Sequence, residues 1–435
     1  MNPRAVAQRI LAGDLAEIPG SSASFRCGWL RHPNDLPSLI HELEALLQPR
    51  HSRTVLLGMG GSAAGAGMLL ETNRVETVEI VDTSFADVIQ RETFSDVNVV
   101  ASSKSGGTVE TVCALAYALD RGLDPRDLTI VTDEGSSLHE LGRSLNSTVV
   151  LGDRTTGGRF SALSVFGLVP AVLAGLSVRQ LEEWPISPDA WCDAFERGYE
   201  SVMSFDEIPT ATLRDDPLTS WAALWEEQLI AESTGKNGRG VIPISGRRNS
   251  GESIQETHAR VVGMCVSLGV DPFDQPDVER SKRMTFDILR DSHQLDVNRE
   301  TESAAETVDF VNSHSAPIAL EVFGRPEPRL TAALSSARDR LQSQGRTVVA
   351  GFGPRYLHST GQLFKGGPEQ ISLVQMVVPP ESEPVRIPGR SYSFHDLMDA
   401  QWRGDRRAMI DLKRNVRSIE CASADDLIAL LSQLG

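Results

Sequence analysis

Residues 54–62 read TVLLGMGGS, an apolar run that breaks on glycines, and AAGAGMLLE (63–71) follows it as a small-residue helix. This strand–glycine–helix unit sets the rhythm of the first half of the chain. ETVEIVDT (76–83) is a second β-branched run, and VNVVASSKSGG (97–107) is a third. TVETVCALAYALDRG (108–122) then has helical apolar spacing. LTIVTDE (128–134) and STVVLGD (147–153) are a fourth and a fifth run, with the helical SSLHELGRSL (136–145) between them. Short strands alternating with helices at this spacing predict βαβ units and a doubly wound parallel sheet.

Outward from that core the pattern continues in both directions. PSLIHELEALLQ gives the first 50 residues a helical character, and FSALSVFGLVPAVLAGL (160–176) reads as a buried helix. Residues 177–218 are irregular and hold EEWPISPDAW and SFDEIPTATLRDDP, which suggests a boundary. Beyond it, WAALWEEQLIAEST (221–234) and ETHARVVGMCVSLGV (256–270) are helical. GRGVIPIS (238–245), APIALEVFG (316–324), RTVVAGFG (346–353) and ISLVQMVVPP (371–380) are strands. The expected fold class is therefore α/β, with two successive doubly wound units. We expect an N-terminal helical segment over 1–44, a first domain over 45–180, a linker region over 181–214 and a second domain with C-terminal helices over 215–435. WCDAFERGYE and QWRGDRRAM read as amphipathic, solvated faces.

Composition bounds the function. With 42 Lys plus Arg against 59 Asp plus Glu, the net charge of −17 would repel a nucleic-acid backbone. No apolar run reaches the ~20 residues of a membrane-spanning helix, and the charged N-terminus lacks a signal-peptide core. The five cysteines are widely spaced and form no C-x-x-C, and the nine histidines form no H-E-x-x-H, so no metal is called for. These features predict a cytoplasmic protein without nucleic-acid or membrane partners.

Two glycine loops carry the chemistry. Gly58-Met59-Gly60-Gly61-Ser62-Ala63 lets helix N-terminal amides approach an anion closely. It also fits a relaxed dinucleotide fingerprint, with Asp82 ending the second strand, so an NAD-binding reading competes with a phosphorylated small molecule and with a mere tight turn. The second loop, Ser102 to Thr111, combines hydroxyls, one ammonium and two adjacent glycines. Ser103, Ser105 and Thr108 offer directional donors and Lys104 offers charge, which suits a single terminal phosphate better than a pyrophosphate.

Here a resemblance becomes specific. SKSGGTVET (103–111) is similar to the phosphate-binding loop of the glucose-6-phosphate isomerase family, within the sugar isomerase (SIS) domain superfamily, and GMGGS resembles that family's other glycine loop. GGRFS (157–161), ESTGK (232–236) and DPFDQPDVERSK (271–282) resemble further family segments in the family's chain order. YLHSTGQLFKGGP (356–368) is similar to a segment in the isomerase half of transaldolase–isomerase fusion proteins, from which it departs at Phe364. The matches run from residue 58 to about 368.

The resemblance implies two SIS domains with flanking helices, an active site between them, a homodimer and no cofactor. It implies reversible conversion of glucose 6-phosphate to fructose 6-phosphate through an enediolate. Glu232 would be the base, and a carboxylate of ordinary pKa ~4.3 would be tuned upward by desolvation. Arg159, after two glycines that would permit close backbone approach, would stabilise the enediolate. Lys282 would open the sugar ring with a histidine, for which His358 is preferred to His258 and His293. Gly60, Gly61, Ser62, Gln275 and Lys365 would complete substrate binding. A mannose 6-phosphate isomerase, a non-catalytic phosphosugar sensor and an NAD-dependent enzyme are the alternatives. A chain of 435 residues would leave little room for a fused transaldolase.

Overall fold

The computed structural model describes residues 2–20, 22–181, 186–203, 207–248, 251–290 and 301–435. Strands β1 (Thr54–Gly58), β2 (Val78–Val81), β3 (Asn98–Ser102), β4 (Leu128–Thr132) and β5 (Thr148–Leu151) form one sheet in the order β2-β1-β3-β4-β5. Every pairing is parallel. The three inner strands are buried along their whole length, whereas β2 and β5 are half exposed at the edges. Strands covered on both faces need unbroken apolar runs, which is why these three were so plain in the sequence. The strand order reverses between β1 and β3, so a crevice opens at their carboxyl ends. Both glycine loops leave from those two ends.

A short parallel pair, β6 (Thr210–Thr212) and β7 (Ile242–Ile244), precedes a second sheet. That sheet contains β8 (Ile318–Phe323), β9 (Val348–Gly353), β10 (Ser372–Val377) and β11 (Val416–Glu420), again all parallel, in the order β11-β10-β8-β9. The α/β class with parallel sheets and flanking helices is as expected. Strands β6 and β11 were not anticipated: β6 has three residues, and β11 is an edge strand with a charged residue at two of its five positions.

The helices bind the two halves together. Helix Trp221–Thr234 packs on helix Gly61–Thr72, and Gly67 makes this possible, because a Cβ there would stand 2.5 Å from the Trp221 ring. The largest apolar cluster accordingly joins Leu56 and Met68 to Leu229 and Val262. Helix Val165–Leu173 starts later than the apolar run at 160, because Ser164 caps it by accepting from Phe166 N at 3.3 Å.

Two stretches expected to be solvated faces are corrected. In helix Pro188–Glu200, Trp191, Cys192 and Phe195 are buried against helix Ile254–Leu268. In helix Phe394–Asp411, Gln401, Trp402, Arg403 and Asp405 are buried. This helix lies so close to helix Val278–Arg290 that a Cβ on Gly404 would come within 2.8 Å of Thr285. Among the described residues, no helix is long and apolar enough to cross a membrane.

Candidate active site

At the carboxyl ends of β1 and β3 lies a cavity of about 340 Å³. Gly60, Gly61, Ser62, Lys104, Ser105, Thr108, Arg159, Glu232, Gln275, Lys282 and His358 all line it. Ser103 and Lys365 do not. Ser103 is buried behind the loop, where its Oγ lies 2.8 Å from Thr108 Oγ1 and steadies that hydroxyl. Lys365 stands in a smaller neighbouring cavity of about 120 Å³, with its ammonium held 2.5 Å from the buried Asp405 carboxylate.

The floor is built by close packing around glycine. Gly60 has φ +54°, a conformation that costs a residue with a Cβ, and a Cβ there would also press on the His358 carbonyl at 3.1 Å. Gly61 opens helix Gly61–Thr72 under the turn that carries Arg159: its Cβ would lie 2.1 Å from Gly158 O. A Cβ on Gly157 or Gly158 would meet nothing within 4 Å. The close approach expected of that glycine pair is therefore made possible by Gly61 instead.

Glu232 sits near the end of a helix buried from Ala223 onward. Gln228, one turn earlier on the same face, donates from Nε2 to Glu232 Oε2 at 2.9 Å, and Arg159 Nη2 lies 3.3 Å from Glu232 Oε1. Arg159 is itself fixed by donation to Pro272 O (3.1 Å), Asp274 O (3.2 Å) and Gln275 Oε1. Lys236 of the ESTGK stretch pairs with Asp274 at 3.0 Å and donates to Ser233 O and Asp271 O, tying the Glu232 helix to the same turn. Carboxylate, guanidinium and amide thus hold one another in place.

On the opposite wall His358, from the segment after β9, places Nε2 2.9 Å from Glu110 Oε1. Glu110 belongs to the SKSGGTVET stretch but was not singled out there. It is buried at 3% exposure and also accepts from Gln401 Nε2 at 2.6 Å. Burial alone would push its pKa up, but the charges of His358 and Lys282 and the hydrogen bond from His358 hold it below the usual carboxylate range. Lys282 lines the same wall, half exposed, and donates to Glu279 Oε1 at 2.7 Å. His258 is a packed histidine, enclosed by Trp29, Phe160 and Trp225, and its burial lowers its pKa to about 3. His293 lies outside the described residues.

The phosphate loop carries less free charge than its sequence suggests. Lys104 donates to both oxygens of Asp133, at 2.8 and 2.9 Å, and to Asp153 O at 2.9 Å. Burial lowers its pKa, with Asp133 opposing. Ser105, Thr108 and the loop amides remain as donors. Asp82, which the dinucleotide reading would need for a ribose, accepts instead from Arg355 at 2.5 and 2.8 Å. Among the described residues, no group of His, Cys, Asp and Glu is arranged to hold a metal ion.

The arrangement can bind an anion at one end and move protons at the other. Sequence reasoning found most of the polar lining, but missed Gln228, Asp133, Glu279 and Arg26 there, and Glu110 behind His358. For Gln228 the i, i+4 spacing to Glu232 was an available signal.

No family model matches the chain. In sequence it is similar to curated glucose-6-phosphate isomerases. That of Rubrobacter xylanophilus is 30% identical over 275 residues, 54% of this chain and 61% of the relative. That of Limosilactobacillus fermentum is 28% identical over 308 residues, 59% of this chain and 66% of the relative. The first such relatives are matched over about half to two thirds of their own length. A solved structure of a hypothetical protein from Thermus thermophilus overlaps 99% of this chain and 86% of that one, at a TM-score of 0.34 and 19% identity.

Proposed function

We propose that the protein is a cofactor-free aldose–ketose isomerase of phosphosugars that interconverts glucose 6-phosphate and fructose 6-phosphate. The observation that carries this reading is the pairing of Glu232 with Arg159 at 3.3 Å inside a cavity whose other end is the Ser105–Thr108 loop. The sugar phosphate would lie between them, its phosphate on the hydroxyls and amides of that loop. His358, oriented by Glu110, and Lys282 would move protons between the ring oxygen and the C1 hydroxyl to open the ring.

Glu232 would then take the C2 proton of the open aldose and return it to C1, while a proton passes from O2 to O1. The intermediate enediolate carries its charge on the oxygens. Arg159 already stands fixed beside the base, so a cation meets that charge with no reorganisation. The homodimer and cytoplasmic location that the sequence suggested belong to the same proposal.

A coupled assay on purified protein tests the reaction and its specificity together. Turnover of glucose 6-phosphate and fructose 6-phosphate, well above that of mannose 6-phosphate, is the expected result. Binding of both sugar phosphates without turnover would replace this reading with a phosphosugar sensor.

A further inference from the structure

Residues 22–32 belong to none of the motifs, yet they strap the two turns that position Arg159 and Gln275. Ser22 N donates to Asp271 Oδ2 at 3.2 Å, and Cys27 forms a β-bridge with Thr156. Gly28 N donates to Thr155 O at 2.9 Å, and Trp29 stacks on Phe160 with ring centroids 5.1 Å apart. Gly28 allows this approach, because a Cβ there would stand 2.0 Å from Thr155 Oγ1. Held in this way, the strap brings Arg26 to the cavity wall, where its Nη1 donates to Arg154 O at 3.3 Å.

The charges around the cavity single Arg26 out. Among the described residues four cations line it, Arg26, Lys104, Arg159 and Lys282, against three carboxylates, Asp133, Glu232 and Glu279. Lys104 pairs with Asp133 at 2.8 Å, Arg159 with Glu232 at 3.3 Å and Lys282 with Glu279 at 2.7 Å. Among the described residues Arg26 alone of the four has no carboxylate within ion-pair distance. It also lies at the phosphate-loop end: after burial, its charge is among the causes that lower the Lys104 pKa. Without Arg26 the described lining is electrically balanced, and a dianion would enter a site with no net charge from these side chains to meet it.

We infer that Arg26 is a ligand of the substrate's phosphate, delivered by the N-terminal strap to a loop whose own lysine is already paired. The inference rests on the phosphosugar reading above. A guanidinium suits the role because its planar fork can give a phosphate two parallel hydrogen bonds.

Steady-state kinetics of Arg26→Gln and Arg26→Lys, with inorganic phosphate as the competing probe, test it. We expect Arg26→Gln to raise KM for fructose 6-phosphate roughly tenfold or more, as loss of a charge-assisted hydrogen bond does. The inhibition constant for phosphate should rise by a similar factor while kcat stays within about threefold. Arg26→Lys should restore part of both, which a merely structural role of the strap would not produce. Unchanged KM and phosphate inhibition in Arg26→Gln, beside an active wild type, would overturn the inference and leave the isomerase reading standing. Phosphate binding that weakens in Arg26→Gln, in a protein that turns over no sugar phosphate, would uphold Arg26 and overturn the isomerase. A wild type with no affinity for phosphate or sugar phosphate would overturn both.

Discussion

Glu110 accepts from His358 and from Gln401 while buried, and its second oxygen has no hydrogen-bond partner among the described residues. Such a carboxylate orients the imidazole. Replacing it with Gln keeps the shape and removes the charge. On the proposed mechanism, Glu110→Gln should lose part of the ~10²–10⁴ that a positioned acid–base group contributes, and only on cyclic sugar phosphate. An open-chain analogue assayed in parallel should be spared, and equal loss on both would remove His358 from ring opening. Side chains of this kind are hard to read from a sequence. Glu110 and His358 are 248 residues apart, and nothing local marks an acid in the first turn of a helix as more than a favourable dipole partner. Glu232, Arg159 and Lys282 were legible because glycines and neighbouring polar residues mark them as motifs, whereas the pairing of Lys104 with Asp133 exists only once β3 and β4 lie side by side.

Among the elements, helix Gly61–Thr72 sets the geometry of the site. Its glycines at 61, 65 and 67 admit the Arg159 turn, Ala162 and Trp221 respectively. Gly61→Ala favours helix formation by roughly 0.5–1 kcal/mol on propensity alone, yet its new Cβ would collide with Gly158 O. We therefore expect Gly61→Ala to lower kcat at least tenfold by displacing Arg159, while Gly158→Ala, which meets no neighbour, stays within about threefold of wild type. Activity measured beside thermal unfolding separates a displaced turn from a lost fold. The small-residue run looked like a phosphate-binding helix start in the sequence, and its second use as a packing surface for the second half was not visible there. Helices Pro188–Glu200 and Phe394–Asp411 were misread for a related reason, since their arginines looked solvated while the neighbouring aromatic residues go into the core.

Across the whole molecule, His258 marks where the pieces meet. The N-terminal segment contributes Trp29, the Arg159 turn contributes Phe160 and helix Trp221–Thr234 contributes Trp225 to the aromatic cage around it. Its pKa is about 3 in the fold, against an ordinary value of ~6.5 when unfolded. Between those values the unfolded chain binds a proton that the folded chain refuses, so stability falls as the pH drops through that window. Chemical denaturation of wild type and His258→Phe from pH 7 to pH 4 should show their stability difference shifting toward the variant by roughly 1.4 kcal/mol per pH unit below ~6.5. A pH-independent difference would contradict the buried neutral histidine. At this scale the parallel sheets were legible from the alternation of strands and helices, and the net charge of −17 was a poor guide to the site, whose lining is locally cationic.

On the proposed mechanism Glu232 carries a proton between neighbouring carbons of a phosphosugar. The most direct measurement is exchange of the C1 hydrogen of fructose 6-phosphate with deuterium in D2O, followed by NMR for wild type and Glu232→Gln. Wild type should incorporate deuterium, and the variant should do so at a rate lower by about 10²–10⁴, with sugar phosphate still bound. Exchange at an undiminished rate in Glu232→Gln, or no exchange by a wild type that binds the sugar phosphate, would contradict this mechanism.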